Sequence, residues 1–282
     1  MVGKHTDHVK HRIKRREESA MKHRVTLCIS VMFLLTFSAR AYPETDSPTV
    51  LITGSNRGIG LAFARQYAEK GWKVIATART PEKAGDLKQL AKAHPKLVLE
   101  QLDVADESSI AALAKKYRGK PIDVLINNAG ILGDPNAQKV GQFDYRELDR
   151  VMAVNLLGPL RVSQAFVENV AASDQKKIIC MSSGLGSMVI SQLAPDLYFY
   201  KISKAGMNIA MGSLAADLRK RDIIVLRLAP GMVNTRILEQ SGMGGKGIEP
   251  EESVAGMIGI IETVTPEMTN QVYIYNGKTL PF

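Results

Sequence analysis

Short apolar runs alternate with longer amphipathic segments from residue 49 to the C-terminal region. The first run, Thr49–Thr53 (TVLIT), is rich in β-branched residues and ends at Gly54. Such a run is typical of a strand buried on both faces of a parallel sheet. In Ile59–Lys70, which comes next, the apolar residues recur at helical spacing and Gly71 follows as a stop signal. The pattern therefore predicts a strand followed by a helix.

The same alternation continues along the chain. Further strands are predicted at Lys73–Ala78, Leu97–Leu102, Ile122–Ile126, Lys177–Met181, Ile223–Leu228 and Gln271–Tyr275. Further helices are predicted at Glu82–Ala93, Glu107–Arg118, Tyr145–Val170, Tyr200–Leu218 and Glu251–Thr263. Strands that alternate with helices indicate a parallel β-sheet covered on both faces. We therefore predict a single-domain α/β Rossmann fold, a doubly wound parallel β-sheet with helices on both faces, over residues 48–282.

Residues 1–47 do not share this pattern and are interpreted as a basic leader. The apolar run Val25–Phe37 is short for a membrane span, which needs about 20 residues, and is typical of a signal-peptide core. Small residues in Ser38–Ala41 would permit cleavage after Ala41. This interpretation predicts an exported or membrane-anchored protein, with membrane contact through the leader only. An uncleaved anchor, a cytoplasmic protein with a misassigned start, and translation from Met21 instead of Met1 remain alternatives.

The net charge of +9 is concentrated in the leader. Residues 1–41 carry nine Lys or Arg residues against three acids, which leaves +3 for the rest of the chain. No basic stripe interleaved with aromatic residues occurs there, so we expect no nucleic-acid partner. The two cysteines, Cys28 and Cys180, exclude a disulfide framework and a cysteine-based zinc site, and no metal is predicted. His94 is the only histidine after the leader, which leaves a Ser-His-Asp hydrolase without a ready base.

The first strand-to-helix turn is rich in glycine. It reads Thr53-Gly54-Ser55-Asn56-Arg57-Gly58-Ile59-Gly60. Glycines permit a tight turn and a close approach of the backbone to a phosphate at the helix N-terminus. Because the spacing differs from G-x-G-x-x-G, the turn alone leaves dinucleotide binding and simple chain reversal equally open.

Tyr200 and Lys204 stand four residues apart at the start of a predicted helix. That spacing places the phenol and the ammonium on one face of the helix. A cation close to a phenol favours the phenolate, so the pair predicts that Lys204 lowers the pKa of Tyr200 and allows proton transfer near neutral pH. Tyrosine and lysine at this spacing are common, however, and the pair alone leaves a packing role open.

Several further motifs occur in a fixed order. They are Leu102-Asp103-Val104, Asn127-Asn128-Ala129-Gly130, Asn155 within VNLLG, Met181-Ser182-Ser183, the Tyr200/Lys204 pair, and Pro230-Gly231-Met232-Val233-Asn234-Thr235. Together with the glycine turn, they make the chain resemble the classical short-chain dehydrogenase/reductase family. The pattern is most similar to its sniffer-like and C-factor-like carbonyl reductases. The resemblance implies an NAD(P)-dependent enzyme that transfers hydride between the nicotinamide and a carbonyl or alcohol.

The resemblance also implies a role for each motif. Tyr200 would be the general acid/base, Lys204 would tune it and hold the cofactor ribose, Ser183 would fix the carbonyl, and Asn155 would keep a water linked to Lys204. The cofactor-binding residues would be Gly54, Ser55, Asn56, Arg57, Gly58, Ile59, Gly60, Arg79, Asp103, Val104, Asn128, Ala129, Gly130, Tyr200, Lys204, Pro230, Gly231, Val233 and Thr235. Ser182 remains an alternative to Ser183, because the loop Gly184–Leu197 is longer than usual in the family.

Charge predicts which nucleotide is preferred. NAD-binding folds of this kind usually place a carboxylate after the second strand, whereas this chain has Arg79 there and no acid before Glu82. Arg79, together with Arg57 in the glycine turn, is suited to the 2′-phosphate of NADP(H). We therefore expect NADP(H) to be preferred over NAD(H).

The substrate is less defined. Apolar residues on the long loop and after Pro230 would suit a hydrophobic ketone, aldehyde or quinone, or would serve core packing or a subunit contact. They are Leu185, Met188, Val189, Leu193, Met232, Ile237, Leu238 and Met243. The glycine-rich stretch 242–247 is interpreted as a lid or a connector. The resemblance allows a homodimer or homotetramer, and it leaves open a cofactor-binding signalling or interaction protein of C-factor type with little turnover.

Overall fold

A computed structural model describes residues 47–192 and 195–281, together with Met21. A compact unit begins at Ser47. The apolar run 25–37 and the cleavage position lie outside these residues, and they stay predictions, as does translation from Met21. No helix in the described part of the chain is long and apolar enough to cross a bilayer.

The described residues form a seven-stranded sheet in the order β3-β2-β1-β4-β5-β6-β7, in which every neighbouring pair is parallel. The strands are β1 (Thr49–Ile52), β2 (Lys73–Ala78), β3 (Leu97–Gln101), β4 (Val124–Asn127), β5 (Lys177–Met181), β6 (Ile224–Ala229) and β7 (Val272–Ile274). The strand order reverses between β1 and β4, so the loops that follow these two strands diverge and leave a crevice at the carboxyl edge. The predicted doubly wound fold is confirmed.

Helices connect the strands and cover both faces of the sheet. They are α1 (Gly58–Glu69), α2 (Gly85–Ala93), α3 (Glu107–Lys116), α4 (Tyr145–Met152), α5 (Gly158–Ala171), α6 (Met188–Ser191), α7 (Tyr198–Leu218), α8 (Arg236–Gln240) and α9 (Pro250–Thr263). A π-helical turn, Ala153–Leu157, joins α4 to α5. Such a turn carries one residue more than an α-helical turn, and it is frequently found at functional sites.

Alternate residues of each central strand pack into different cores. On β1, Val50 and Ile52 contact one cluster with Phe63 of α1, whereas Leu51 contacts a second cluster with Phe166 of α5. All of these side chains are fully buried. Because both faces of β1 are apolar, the strand is fixed at the centre of the sheet and its carboxyl end opens into the crevice.

Two predictions about these connections are corrected. The helix predicted from Glu82 begins only at Gly85, because Pro81–Lys83 forms a separate 3₁₀ turn and Ala84 has a non-helical backbone. The long loop after β5 contains α6, whose first turn is capped by Ser187 through a hydrogen bond from the Ile190 amide (3.3 Å). A helix this short has too few apolar positions to show a period in the sequence.

Candidate active site

A cavity of about 930 Å³ lies at the carboxyl edge of the sheet, around the point where the strand order reverses. Its wall is built from the turns that follow β1, β2, β3, β4, β5 and β6, together with the first turns of α7 and α8. Parallel strands bring all these turns to one edge, so residues distant in sequence meet around one ligand-sized space.

Hydrogen bonds join the turn after β1 to the turn after β4. The Asn128 side-chain amide donates to the carbonyls of Thr53 (2.8 Å) and Gly54 (3.1 Å). In return, the Thr53 hydroxyl oxygen accepts from the amides of Asn128 and Ala129, each at 3.0 Å. The two turns therefore behave as one rigid floor of the cavity.

The glycine turn fits the phosphates of a dinucleotide. Gly54 has a φ of +69°, and a Cβ there would lie 3.0 Å from the Ala129 Cα. At Gly60 a Cβ would lie only 2.2 Å from the Gly54 carbonyl oxygen, so no larger residue can pack there. No side chain caps the N-terminus of α1, and its first turn carries no acid. The uncapped amides and the helix dipole therefore point at the cavity in the way that phosphate binding requires.

Arginine side chains converge on one end of this cavity. Arg57, Arg79 and Arg236 all line it, and Lys83 lines the same cavity. No ion pair joins these arginines to a carboxylate within the residues described. Burial, followed by the charges of Arg236 and Arg79, lowers the pKa of Arg57. Because these unpaired cations repel one another, an anion bound between them is favoured over a neutral ligand and over an empty cavity.

Tyr200 lies in the first turn of α7 and is buried, with its side chain on the cavity wall. The Ser183 side chain interacts with the Tyr200 hydroxyl, and this contact lowers the pKa of Tyr200 against the larger effect of burial. Ser182 lines the cavity and Ser183 does not, but the Ser182 hydroxyl donates to Asn208 Oδ1 at 2.7 Å in the protein interior. Of the two serines left open by the sequence, the geometry favours Ser183 as the partner of Tyr200.

Lys204 lies one turn after Tyr200 and is buried. Its Nζ donates to the Met181 carbonyl (2.8 Å) and lies 5.8 Å from the centre of the Tyr200 ring. Asn155, in the π-helical turn, accepts from the Ile131 amide (2.9 Å) and donates to the Ile131 carbonyl (2.8 Å) and to Ser203 Oγ (3.0 Å). Its side chain thus holds the loop after β4 against α7. A role in keeping a water near Lys204 stays a prediction.

The predicted effect of Lys204 on Tyr200 is corrected by the structure. Burial raises the pKa of Tyr200, and the opposing influence comes from the contact with the Ser183 side chain. Burial also lowers the pKa of Lys204 to about 8. The helical spacing revealed that the two groups are neighbours but not that both are desolvated, and desolvation disfavours the charged form of each. At neutral pH the Tyr200 hydroxyl is therefore protonated.

The buried ammonium predicts a pH-dependent stability. Lys204 has a folded pKa near 8 against an ordinary value of 10.5, so between these values the unfolded chain binds more protons. Its burial is unfavourable below about pH 8, and this cost is relieved as the pH rises. Without cofactor, wild-type stability should rise relative to Lys204→Met by on the order of 2 kcal/mol from about pH 7 to about pH 10. Urea unfolding at both pH values measures this, and a constant difference would contradict it.

The structure brings most of the predicted cofactor residues together. Those on the cavity wall are Gly54, Asn56, Arg57, Gly58, Ile59, Gly60, Arg79, Asp103, Val104, Asn128, Ala129, Gly130, Tyr200, Lys204, Pro230 and Thr235. Ser55, Gly231 and Val233 are not on it. The Ser55 hydroxyl donates to the Ile52 carbonyl (2.9 Å) in the interior, so it serves the turn itself. Val233 is buried and forms a β-bridge with Ile248.

Two residues at the site were missed by the sequence-based prediction. Arg236 directly follows Thr235, and its position at the start of α8 brings it to the cavity. The only sequence signal for Arg236 is that it is a basic residue directly after the motif Pro230–Thr235. Gln138 lies in an irregular stretch and accepts a hydrogen bond from the Tyr200 amide (3.0 Å). Nothing in its sequence surroundings indicates this contact.

Of the candidate substrate residues that the structure describes, only Ile237 lines the cavity. Met188, Val189, Met232 and Met243 are all substantially exposed, whereas Leu238 is buried. Ile237 lines the cavity, and Leu193 lies outside the described residues. The stretch 242–247 is tied down at its end, because the Asn234 side chain accepts from the Gly247 amide and donates to its carbonyl, both at 2.9 Å.

Comparison with known proteins points in one direction. The family model for short chain dehydrogenases matches residues 48–244. The C-signal protein of Myxococcus xanthus is 34% identical over 164 residues, which cover 57% of this chain and 93% of that protein. The NADPH-bound carbonyl reductase from chicken fatty liver has a TM-score of 0.76 at 29% identity, over 84% of this chain and 99% of the other. Carbonyl reductase Sniffer of D. melanogaster has a TM-score of 0.74 at 25% identity, over 84% and 100%. These matches confirm the resemblance that the motifs predicted.

Proposed function

This chain belongs to the short-chain dehydrogenase/reductase family and is an NAD(P)-dependent oxidoreductase, and we propose that it is an NADP(H)-dependent carbonyl reductase acting on a hydrophobic ketone, aldehyde or quinone. One observation carries the proposal. A protonated Tyr200, hydrogen-bonded by Ser183 and one turn from Lys204, lies on the same cavity wall as the glycine turn and the unpaired arginines. NADPH, when bound, supplies the hydride.

The residues of the chain supply orientation and a proton. Ser183 can hold a substrate carbonyl oxygen beside the Tyr200 hydroxyl, and Tyr200 donates its proton to that oxygen as negative charge develops there. Because burial raises the pKa of Tyr200, the hydroxyl is in the form that a reduction needs at neutral pH. The Lys204 ammonium, with a pKa near 8, provides a cation next to the phenolate left behind.

The cofactor would be held by the floor of the cavity. The amides of the glycine turn and the N-terminus of α1 would bind the pyrophosphate. Arg57 and Arg79 would bind the 2′-phosphate, which supports NADP(H) over NAD(H). Asp103 is restrained by a hydrogen bond that its Oδ1 accepts from the Ala105 amide (3.0 Å), and it would face the adenine.

Activity is tested directly with purified protein and a panel of carbonyl compounds that includes menadione and para-nitrobenzaldehyde. We expect oxidation of NADPH that depends on the carbonyl and is faster than oxidation of NADH at equal concentration. The loss of reduced-nucleotide absorbance measures both rates. Absence of turnover with every carbonyl would rule out carbonyl reduction. Faster turnover with NADH would rule out the preference for NADP(H).

A second function is favoured by one match. The C-signal protein bears a name that refers to signalling, and its match covers 57% of this chain. A protein of that kind would bind NADP(H) with little turnover. The intact set of Tyr200, Lys204, Ser183 and Asn155 argues for an enzyme, since binding alone does not require a buried proton donor. NADPH binding by calorimetry, with no oxidation of the bound nucleotide by any carbonyl, would favour the second function.

A further inference from the structure

Gln138 is a fully buried side chain on the turn Asn136–Gln138, between β4 and α4. Its Nε2 donates to the carbonyls of Leu132 (2.9 Å) and Asp134 (3.3 Å). Its Oε1 accepts from the Tyr200 amide at 3.0 Å. Both ends of one amide are thus used to join the loop after β4 to the first turn of α7.

Helix α7 lacks the usual means of satisfying its first amides. Its N-cap residue, Leu197, has left-handed backbone angles (φ 55°, ψ 34°) and provides no side-chain cap. Asp196, just before it, is also left-handed with a φ of 56°. The first amides of a helix have no partner within the helix, and a polar N-cap side chain normally accepts one of them. In this chain Gln138, distant in sequence, accepts the one that belongs to Tyr200.

Asn155 makes a parallel connection a short distance away. It binds the Ile131 backbone on the same loop and Ser203 on the same helix. The two buried amides therefore hold adjacent residues of one loop against positions three residues apart on α7. Gly133 permits this approach, because it has a φ of +84° and a Cβ there would lie 3.0 Å from Gln138 Nε2.

We propose that Gln138 is a positioning residue for proton transfer: by fixing the Tyr200 backbone to the cofactor-side loop, it sets where the Tyr200 hydroxyl lies relative to Ser183 and the substrate carbonyl. This inference rests on the proposed role of Tyr200 as proton donor. Proton transfer requires hydrogen-bond distance, and displacing a reacting group by about 1 Å can cost about 10²-fold in rate. Gln138 itself touches no reacting atom.

The test compares Gln138→Met with Asn169→Leu. Both changes remove a buried amide that donates to two backbone carbonyls and replace it with an apolar side chain of similar size. Asn169 donates to the carbonyls of Tyr117 (2.6 Å) and Lys120 (2.8 Å) at the far end of α5, away from the cavity. We expect Gln138→Met to lower kcat for menadione reduction by about 10- to 100-fold, with the Kd for NADPH within about threefold of wild type. Asn169→Leu should change both by less than about threefold, whatever its stability.

Hydrogen exchange provides a readout that needs neither substrate nor cofactor. The Tyr200 amide should exchange at least about tenfold faster in Gln138→Met than in wild type, and at an unchanged rate in Asn169→Leu. Unchanged exchange in Gln138→Met would overturn the inference. Normal kcat in that variant would also overturn it, whereas normal kcat in Tyr200→Phe would overturn the proposed function instead.

Gln138→Glu tests the same contact if the Met variant folds poorly. A neutral carboxyl group can donate to one loop carbonyl and accept from the Tyr200 amide, whereas a carboxylate would face the carbonyls of Leu132 and Asp134 without a proton. Burial raises the pKa of such a carboxyl group. The kcat of Gln138→Glu relative to wild type should therefore be close to one at about pH 6 and at least about tenfold lower at about pH 8.5. A ratio that is independent of pH would overturn the inference.

Discussion

Replacing Tyr200 with Phe is expected to lower kcat for carbonyl reduction by about 10²- to 10⁴-fold. The substitution removes only the hydroxyl, which is the buried proton donor that Ser183 contacts, and leaves the ring packed in the first turn of α7. The phosphate-binding floor lies on the other strands of the cavity, so the Kd for NADPH should stay within about threefold. Steady-state kinetics with menadione and fluorescence titration of NADPH measure the two effects separately.

Tyr198→Phe is the matched control. Tyr198 belongs to the same helical turn, but it is partly exposed and its ring packs edge-on against Phe143 at 5.2 Å between centroids. Its hydroxyl has no part in the proposed chemistry, so kcat should be unchanged within about twofold. If Tyr200→Phe kept more than about a tenth of wild-type kcat, the proton would have to come from another group, and the assignment of Tyr200 would be wrong.

The fold could be predicted because its strongest signals are local. A strand buried on both faces, such as β1 or β5, must be a continuous apolar run, and both runs are visible in the sequence. The parallel order then places the residue after each strand at one edge, which is why Gly54, Asn128 and Pro230 meet around one cavity. The first residues of the helices were predicted less accurately. The turn at Pro81–Lys83 and the short α6 depend on single caps and backbone angles that the apolar pattern does not encode.

Parts of the site depend on contacts between distant segments and could not be predicted. Gln138 lies among polar loop residues, and only the tertiary structure shows that it is fully buried and bound to the amide of Tyr200. The pKa of Tyr200 shows the same limit. Spacing along a helix reveals a neighbouring cation, but the direction of the shift is decided by burial, which depends on the whole fold.

The buried amides of Gln138 and Asn155 hold α7 in place, which explains how the Tyr200 hydroxyl can be desolvated and still keep a defined position. A buried hydroxyl makes few hydrogen bonds to water, so its position depends on the backbone that carries it and on hydrogen bonds within the protein. Gln138 fixes the backbone of α7 at Tyr200, Asn155 holds the Ser203 side chain on the same helix, and Ser183 contacts the Tyr200 hydroxyl itself. Rigid support of this kind allows the environment to raise the pKa of Tyr200 while keeping its position defined.

Removing Arg57 and Arg79 together is expected to reverse or abolish the preference for NADPH. Both side chains line the cavity, Arg236 lies close enough to influence Arg57, and no carboxylate pairs with Arg57 or Arg79 among the described residues. A hydrogen bond to a charged group contributes about 1.5–3 kcal/mol, so each Arg→Ala change should weaken NADPH binding by about tenfold to a hundredfold. NADH lacks the 2′-phosphate, and its Kd should change by less than about threefold.

The control for charge is Arg65→Ala. Arg65 lies on the same helix as the glycine turn, and its guanidinium forms a long, exposed ion pair with Glu251 (3.7 Å). Its loss changes the net charge by as much as either single change, Arg57→Ala or Arg79→Ala, but should leave both Kd values within about twofold. Calorimetric titrations with NADPH and NADH at low and physiological salt compare the variants. Equal weakening of NADPH and NADH in the double variant would show that these arginines bind a part that both nucleotides share, such as the pyrophosphate, and not the 2′-phosphate, which only NADPH carries.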